Sequence, residues 1–349
     1  MTSTAQRRDA RVPAYRQALL VAVTVAVVLL GAMAWVTRTS APSWAGPLES
    51  VTLATNSNYA GACSVLAAQE QGYFAGEGLV ATIQPHTSGK SALDAALNGR
   101  AELATVADIP IMFAAMNGQP VSVVASIFKA ERDQAIVARK DRGIAAPADL
   151  KGKRVGVTLG TSGNFFLDAF TNRQKLSANA VMAVDLKPEA ITGALLSGEV
   201  DAISTWEPYL GMARTQLGSN AAMFYGEGVY EVIFNLAGTR AFVATHPETV
   251  KKVLRAVIRG AQFCTDSPDL ASAIVARAMN IDPGQLKGLW PSYLFKVTLD
   301  QALILALEDE TRWAIKNKLT GQTKIPNYLS YVDLGALKAV RPSAVTIIH

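Results

Sequence analysis

A loop of glycines and hydroxyls at residues 160–163 is the stretch with the clearest chemical potential. Residues 155–159 alternate as in a β-strand, Gly160 breaks the alternation, and Thr161 and Ser162 precede an apolar run that begins at helical spacing. The free N–H groups at a helix start, joined by two hydroxyls, can bind an anion. A helix cap that serves stability alone would have the same sequence, so this stretch by itself leaves both interpretations open.

A second pattern occurs twice, 99 positions apart, and places two carboxylates in similar loops. Residues 97–105 and 196–204 each combine the end of a short helix, a glycine turn, an acidic residue and a short strand, and Asp108 and Glu207 follow them. The simplest interpretation is two lobes of related plan. Each lobe would present loops from the carboxyl ends of parallel strands, where open α/β sheets bind ligands.

These loops need a scaffold, and the chain after residue 50 alternates strand and helix patterns. The alternation predicts a largely parallel sheet covered on both faces. Extended apolar segments at 133–139 and 231–245 are the predicted crossovers between the lobes. The expected fold is therefore α/β and two-lobed, with lobe 1 at 50–136 and 234–345 and lobe 2 at 137–233.

The amino terminus predicts a membrane segment. Residues 18–36 carry no charge and are almost wholly apolar, a run of 19 residues that is close to the length needed to cross a bilayer. Arginines precede it, which favours a cytoplasmic segment at 1–17, an anchor at 18–37 and an exported remainder joined by a linker at 38–49. Ser43-Trp44-Ala45 also fits a cleavage site, so a long signal peptide is the alternative.

Charge and cysteine content narrow the function classes. Of the formal net charge of +5, residues 1–45 account for +4, so the rest of the chain gives little support for nucleic-acid binding. Cys63 and Cys264 could pair in an oxidising compartment, but the sequence favours two buried free thiols. The three histidines form no cluster with cysteine, so we expect neither a metal site nor a cofactor.

Five motifs occur in order along the chain: NSNYAG at 56–61, QEQGYFAGEGL at 69–79, GRAELA at 99–104, DLKGKRVGVTLGTSG at 149–163 and LLSGEVDAISTWEPY at 195–209. This ordered set resembles the periplasmic substrate-binding proteins of ABC transporters for sulfonates, taurine, nitrate and related small molecules. The resemblance spans residues 50–335 and implies a type II periplasmic-binding fold, a monomer whose two lobes close around a ligand by hinge motion.

The resemblance also implies where the ligand binds. The cleft loops of the family correspond here to Ser57, Asn58, Tyr59, Ser88, Gly89, Asp108, Gly160, Thr161, Ser162, Trp206 and Glu207. Asn235, on the second crossover, could contact the ligand or satisfy a backbone group of the hinge.

The residue types agree with roles in binding. Thr161 and Ser162 suit a sulfonate or carboxylate head group, and Trp206 or Tyr59 suits a flat or apolar tail or a cation. Carboxylates facing the cleft would repel a bare dianion and favour an amine, a hydroxyl or an N–H group. Lys90 could add positive charge, although a solvated lysine beside a helix start is the simpler interpretation.

We therefore expect a non-catalytic solute-binding protein that delivers an organic anion, zwitterion or heterocycle to an ABC permease and its ATPase, on the periplasmic side of the inner membrane. No nucleophile is paired with a base in the sequence. A retained anchor departs from the family pattern and keeps open a membrane-tethered sensor or adaptor. An enzyme resembling the pyrimidine-precursor synthases, which share this fold, is the other alternative.

Overall fold

The computed structural model describes residues 46–177 and 180–348, whose strands form one sheet of six strands and one of five. The order of the first sheet is β11-β4-β10-β3-β1-β2, and that of the second is β7-β6-β8-β5-β9. The strands are β1 Glu49–Thr55, β2 Leu79–Pro85, β3 Leu103–Ala107, β4 Val121–Ala130, β5 Gln134–Arg139, β6 Arg154–Val157, β7 Met182–Asp185, β8 Ala202–Trp206, β9 Ala221–Tyr225, β10 Val232–Thr239 and β11 Tyr293–Leu294.

Helices connect the strands and supply most of the carboxyl-terminal part. They are α1 Cys63–Glu70, α2 Tyr73–Gly76, α3 Gly89–Leu97, α4 Asp108–Met116, α5 Ser162–Arg173, α6 Pro188–Ser197, α7 Tyr209–Leu217, α8 Arg240–Thr245, α9 Pro247–Asp266, α10 Pro268–Met279, α11 Gly284–Lys287, α12 Gln301–Lys316 and α13 Gly335–Val340. The two sheets and their helices form two α/β domains, named here the first domain (six strands) and the second domain (five strands).

Both sheets are mixed, so the prediction of a largely parallel sheet holds only in part: four of the six strands in the first sheet and four of the five in the second run in one direction. Parallel pairs join β1 to β2 and β3, and β6 to β7 and β8. In contrast, β10 and β5 are antiparallel to both of their neighbours. These two strands follow the crossovers, and a chain that arrives from the other domain enters its new sheet from the opposite end.

The crossovers are shorter than the sequence predicts. Among the described residues, β5 pairs with second-domain strands alone and β10 with first-domain strands alone, so the chain passes between the sheets at 131–133 and 226–231. The predicted extended segment 231–245 ends at Thr239, whose hydroxyl oxygen accepts a hydrogen bond from Phe242 N and caps α8. The exact lobe boundaries given above stay predictions.

The repeated pattern has the same structural role in both domains. Glu102 and Asp201 occupy equivalent positions just before β3 and β8. The carboxylate of Glu102 accepts a hydrogen bond from Thr52 N on the neighbouring strand, at 2.6 Å, and that of Asp201 accepts one from Arg154 N, at 3.0 Å. Each carboxylate therefore holds two parallel strands in register near the amino end of β3 or β8, opposite the carboxyl ends from which the cavity loops extend.

The two cysteines form a disulfide bond, so the expectation of free thiols is wrong. Cys63 begins α1 and Cys264 lies on α9, with their Cα atoms 6.3 Å apart. Gly260 explains the close approach of the helices, because a Cβ atom there would lie 1.9 Å from the carbonyl oxygen of Ser64. The pairing depends on this helix contact between residues 201 positions apart, which the sequence pattern does not reveal.

The predicted segments 1–17 and 18–37, and the linker up to residue 45, lie outside the described residues. Within 46–177 and 180–348, no helix combines the length and the apolar character that a membrane span requires. The described chain begins its first strand at Glu49, the last residue of the predicted linker.

Candidate ligand-binding site

A small cavity, the inner cavity, lies where the two domains meet and is bordered by one helix start from each. Its volume is about 30 Å³. The first domain contributes the start of α3 and the second domain the start of α5. The lining residues are Asn56, Tyr59, Ser88, Gly89, Lys90, Ala107, Pro110, Gln134, Thr161, Ser162, Trp206, Val232 and Phe234.

Glycines allow both helix starts to approach the strands beside them. A Cβ atom on Gly89 would lie 3.0 Å from Val106 Cα on β3, and one on Gly163 would lie 2.9 Å from the carbonyl oxygen of Ser204 on β8. Ser88 caps α3, since its hydroxyl oxygen accepts a hydrogen bond from the backbone of the first turn. The positive ends of two helix dipoles are thereby brought to the cavity.

The hydroxyls at the second helix start do not cap it. Thr161 stands at the N-cap position of α5, but its hydroxyl donates to the carbonyl oxygen of Thr158, at 2.7 Å. The Thr161 side chain makes no cap hydrogen bond, whereas Asn164 Oδ1 in the first turn of α5 accepts one from Gly160 N, at 3.3 Å. Ser162 is largely buried and lines the inner cavity. Capping of α5 by the Thr161 side chain is therefore not the role of this hydroxyl. Ligand contact by Thr161 and Ser162 stays a prediction.

Three buried polar atoms of the lining residues have no hydrogen-bond partner within the described part of the chain. They are the amide oxygens of Asn56 and Gln134 and the indole N–H of Trp206. An unpaired buried donor or acceptor costs about 1–3 kcal/mol. Such groups at a cavity wall are suited to a bound molecule or to ordered water.

The buried carboxylate of Asp133 contacts two residues that line the inner cavity. Asp133 is fully buried, and its Oδ2 accepts hydrogen bonds from Tyr59 Oη, at 2.9 Å, and from Gln134 Nε2, at 2.8 Å. Burial, together with the charge of Glu207, raises its pKa to about 7, against the opposing effect of the two hydrogen bonds. Asp133 thus fixes the orientation of two side chains that line the inner cavity.

A larger outer cavity of about 450 Å³ adjoins the inner one and shares Lys90 and Pro110 with it. Its apolar wall includes Leu159 from the second domain and Leu319 from the first, which are 43% and 42% exposed. Lys90 Nζ lies 3.0 Å from Asp94 Oδ2, and both side chains are about half exposed. The outer cavity therefore offers room for an apolar body and is not a strongly basic site.

The sequence predictions divide into residues that line a cavity and residues that do not. Tyr59, Ser88, Gly89, Thr161, Ser162 and Trp206 line the inner cavity, and Gly160 lines the outer one. Ser57 and Asn58 line a separate depression of about 360 Å³ that also contains His86. Asp108, Glu207 and Asn235 are buried and are not among the residues that line these cavities.

Asp108 is committed to contacts within the protein. Its carboxylate accepts hydrogen bonds from Ile109 N, at 2.9 Å, from Ile233 N, at 3.0 Å, and from the hydroxyl of Tyr230. Burial raises its pKa to about 6 despite these bonds, and the same burial raises the pKa of the neighbouring Glu310 well above its ordinary value. Asp108 therefore ties the first domain to the second crossover.

Glu207 and Asn235 are used internally in a similar way. The carboxylate of Glu207 accepts a hydrogen bond from Gly211 N in the first turn of α7, at 2.8 Å. The amide oxygen of Asn235 accepts from Ser126 Oγ, at 2.8 Å, and its Nδ2 donates to the carbonyl oxygen of Ile233, also at 2.8 Å. Asn235 therefore contacts a backbone group on β10, beside the second crossover, and its contact with a ligand stays a prediction.

Asn56 and Gln134 are cavity residues that the sequence reasoning missed. Asn56 directly follows β1, and Gln134 is the first residue of β5, directly after the first crossover. Their position at strand ends was the available signal. The described residues contain no group of three or more His, Cys, Asp or Glu side chains arranged to hold a metal ion.

Two α/β domains joined by two crossovers, with helix starts and strand ends meeting at an interdomain cavity, define a ligand-binding cleft. Comparison with known proteins agrees with this class. The chain belongs to the NMT1/THI5 like family, whose model matches residues 58–271.

Curated relatives include binding proteins. The chain is 25% identical over 274 residues to a binding protein of Brucella abortus, covering 72% of this chain and 83% of that protein. It is 25% identical over 212 residues to the taurine-binding periplasmic protein of Escherichia coli, covering 58% and 65%. A pyrimidine phosphate synthase of Legionella pneumophila is 24% identical over 226 residues, covering 61% and 68%.

Solved structures establish the fold as the two-domain periplasmic-binding fold. The alkanesulfonate-binding protein SsuA of Xanthomonas axonopodis, bound to MOPS, matches with a TM-score of 0.72 at 19% identity, covering 83% of this chain and 99% of that one. The nitrate-binding protein NrtA of Synechocystis matches with a TM-score of 0.69 at 11% identity, covering 85% and 89%.

Proposed function

We propose that this protein is the solute-binding component of an ABC import system, which captures a small organic anion, zwitterion or heterocycle in the interdomain cleft. The observation that carries the proposal is the inner cavity, where two helix starts and three unpartnered buried polar atoms converge. The relatives named for binding taurine and sulfonates support the same ligand class.

The starts of α3 and α5 would bind the acidic head group of the ligand. First-turn N–H groups and the helix dipole favour negative charge. Here α3 and α5 begin on opposite sides of the cleft, in different domains. An anion held by both would link the domains, and this is how binding could favour the closed cleft.

We propose binding without catalysis. Ser162 supplies a hydroxyl to the inner cavity, and a nucleophilic serine needs a base within hydrogen-bond reach. His86 lines the separate depression, and its ring Nε2 lies 3.4 Å from Gln84 Oε1. The synthase among the relatives keeps an enzyme on this fold as the alternative.

We further propose that the predicted segment 18–37 holds the protein, as a monomer, on the periplasmic side of the inner membrane. The apolar run and the preceding arginines support this placement. There the protein would present its ligand to a permease driven by an ATPase. Membrane fractionation of cells that express the full chain tests the anchor, and a soluble periplasmic species beginning near residue 46 would contradict it.

A thermal-shift screen of the purified full-length chain tests the function. Small sulfonates, carboxylates, amines and pyrimidines serve as probes, since a ligand that binds only the folded state raises the melting temperature. Ser162→Ala is expected to weaken binding of the active probe about tenfold, through loss of a hydroxyl in the inner cavity, with little effect on the unliganded protein.

Ser57→Ala is the matched control, because Ser57 lies in the separate depression. It should leave the shift unchanged. If the folded protein responds to none of the probes, the proposed function is wrong. Equal losses in the two variants would mean that the inner cavity is not the binding site.

A further inference from the structure

A tryptophan of the first domain and an aspartate of the second form a direct hydrogen bond between the domains. Trp313 lies on α12, which packs against α4 of the first domain, and Asp168 lies on α5 of the second domain. Trp313 Nε1 donates to Asp168 Oδ2, at 3.0 Å. Within the described residues, Trp313 is the one hydrogen-bond partner of this carboxylate. The Asp168 side chain is therefore used for contact with the other domain.

Aromatic contacts hold the Trp313 ring between the two domains. The ring contacts Phe113 on α4, in its own domain, with ring centres 6.1 Å apart, and Phe165 on α5, in the other domain, with ring centres 5.1 Å apart. The ring planes meet at 68° and 84°, the edge-to-face arrangement that aromatic pairs favour. Phe113 thus supports the indole on the first domain, while Phe165 and Asp168 contact it from the second.

This interdomain contact lies beside the cavities and leaves their space free. Phe113 lines the outer cavity, whereas Trp313, Phe165 and Asp168 are not among the residues that line either cavity. Phe165 stands in the first turn of α5, whose start borders the inner cavity, and it also contacts Tyr230 of the second crossover, with ring centres 5.1 Å apart. The domains can thus be held together here without filling the volume that a ligand would occupy.

Opposing contributions make this contact suited to reversible formation. Asp168 and Trp313 are both partly exposed, and burial raises the pKa of Asp168 against the effect of the hydrogen bond from Trp313. The carboxylate therefore loses favourable hydration where the domains meet, and the indole N–H and the ring contacts offset that loss. Separation of the domains would return both polar groups to water, so the net cost of opening is small.

We propose that Trp313, Phe165 and Asp168 form an interdomain latch, a contact between protein groups that favours the closed cleft without touching a ligand. The latch sets how often the domains separate, and thereby how often the inner cavity opens to solvent. This inference goes beyond the proposed function, because the latch acts on the opening of the cleft whatever molecule the cleft binds.

Hydrogen exchange of the purified full-length chain, measured by mass spectrometry with no ligand added, tests the latch. Residues 161–164 at the start of α5 are buried at the domain junction, so their amide hydrogens should exchange when the domains separate. Trp313→Phe keeps an aromatic ring and removes the N–H donor, and Asp168→Ala removes the acceptor. Each should speed exchange in this segment about tenfold, the effect of losing one hydrogen bond to a charged group.

Trp290→Phe serves as the matched control for the tryptophan variant. Trp290 Nε1 also donates a hydrogen bond, to the carbonyl oxygen of Cys264 at 3.1 Å, but both residues belong to the first domain. This variant removes the same kind of donor, yet it should leave exchange at 161–164 unchanged. A chain that carries both Trp313→Phe and Asp168→Ala should exchange no faster there than the faster single variant, because both substitutions remove the same bond.

Three results would overturn the inference. Unchanged exchange in both single variants would show that the domains stay closed without this contact. An equal increase in Trp290→Phe would show a general loss of stability, and additive effects in the double variant would show that the two residues act separately. Asp168→Ala decides the test alone if Trp313→Phe does not fold. The thermal-shift screen tests the proposed function independently of these results.

Discussion

Two buried aspartates at the domain junction, Asp108 and Asp133, have the same side chain and the same complete burial but different surroundings. Asp108 accepts hydrogen bonds from two backbone N–H groups and from the hydroxyl of Tyr230, and these bonds tie it to the second crossover. Asp133 ends the first crossover and uses one oxygen for Tyr59 and Gln134, while its other oxygen has no partner in the described chain.

The difference lies in the hydrogen-bonding capacity that remains after folding. A carboxylate whose acceptor sites are filled by the protein stabilises the fold and has nothing left for a ligand. A carboxylate that orients neighbours whose own oxygens remain unpaired is suited to a binding site. We therefore expect Asp108 substitutions to act on stability and Asp133 substitutions to act on ligand selectivity.

The largest expected effect is that of Asp108→Ala. It leaves two buried backbone N–H groups and one buried hydroxyl without their acceptor, so we expect the free energy of unfolding to fall by about 3–5 kcal/mol. Urea unfolding at pH 7 measures it. Glu199→Ala, an exposed acidic position before β8, is the control and should change stability by less than about 0.5 kcal/mol. A loss near the control value would mean that Asp108 is not a structural centre.

The contrast between the aspartates also shows where sequence reasoning ends. The positions of Asp108 and Glu207 after strands were predicted, but their side chains, expected at the cleft, make contacts within the protein instead. The partners of Asp108, Tyr230 and Ile233, lie 122 and 125 positions further along the chain. Strand alternation and turn residues carry no information on such distant contacts, and the same reason hides the disulfide.

Features that depend on residues close together in the sequence were predicted well. The strand, glycine loop and helix around Gly160 are present, and the repeated pattern gave Glu102 and Asp201 equivalent positions. Asn56 and Gln134 were missed because their importance lies in an unpaired oxygen. Whether an amide oxygen finds a donor is decided by the packing of both domains, which a pattern of residue types does not contain.

The raised pKa values of both aspartates predict how stability depends on pH. Asp108 and Asp133 keep their protons up to about pH 6 and about pH 7 in the folded protein, whereas the unfolded chain releases them near their ordinary value of 3.8. Between these limits the folded state binds more protons, so stability falls as the pH rises from about 4 to about 7, by up to a few kcal/mol.

Melting temperatures at pH 5 and pH 8 measure this decline, and the higher value is expected at pH 5. Ion-paired acids such as Asp201, whose pKa is lowered by Arg154, set the acid limit because they lose their pairing below about pH 4. Asp133→Asn should flatten the part of the decline near pH 7, since the amide cannot ionise. An unchanged pH profile in this variant would show that Asp133 does not titrate in that range.

The smallest effects on stability should come from removing the tyrosine hydroxyl that donates to each aspartate. These two variants give the finest comparison between the aspartates. Tyr230→Phe deletes one of the three donors to Asp108, and Tyr59→Phe deletes one of the two donors to Asp133. Each should lower the free energy of unfolding by about 1 kcal/mol, the usual net value of a hydrogen bond. Each should also raise the pKa of its aspartate, because the lost bond favoured the charged form.

Ligand binding should separate these two variants even though their stabilities are similar. Tyr59 lines the inner cavity and shares Asp133 Oδ2 with Gln134, whereas Tyr230 is not among the residues that line it. Calorimetry with the active probe of the thermal-shift screen should therefore show severalfold weaker binding for Tyr59→Phe and unchanged binding for Tyr230→Phe. Equal affinities in the two variants would mean that both aspartates serve the scaffold alone. A change in Tyr230→Phe alone would mean that the second crossover, through Asp108, controls the binding site.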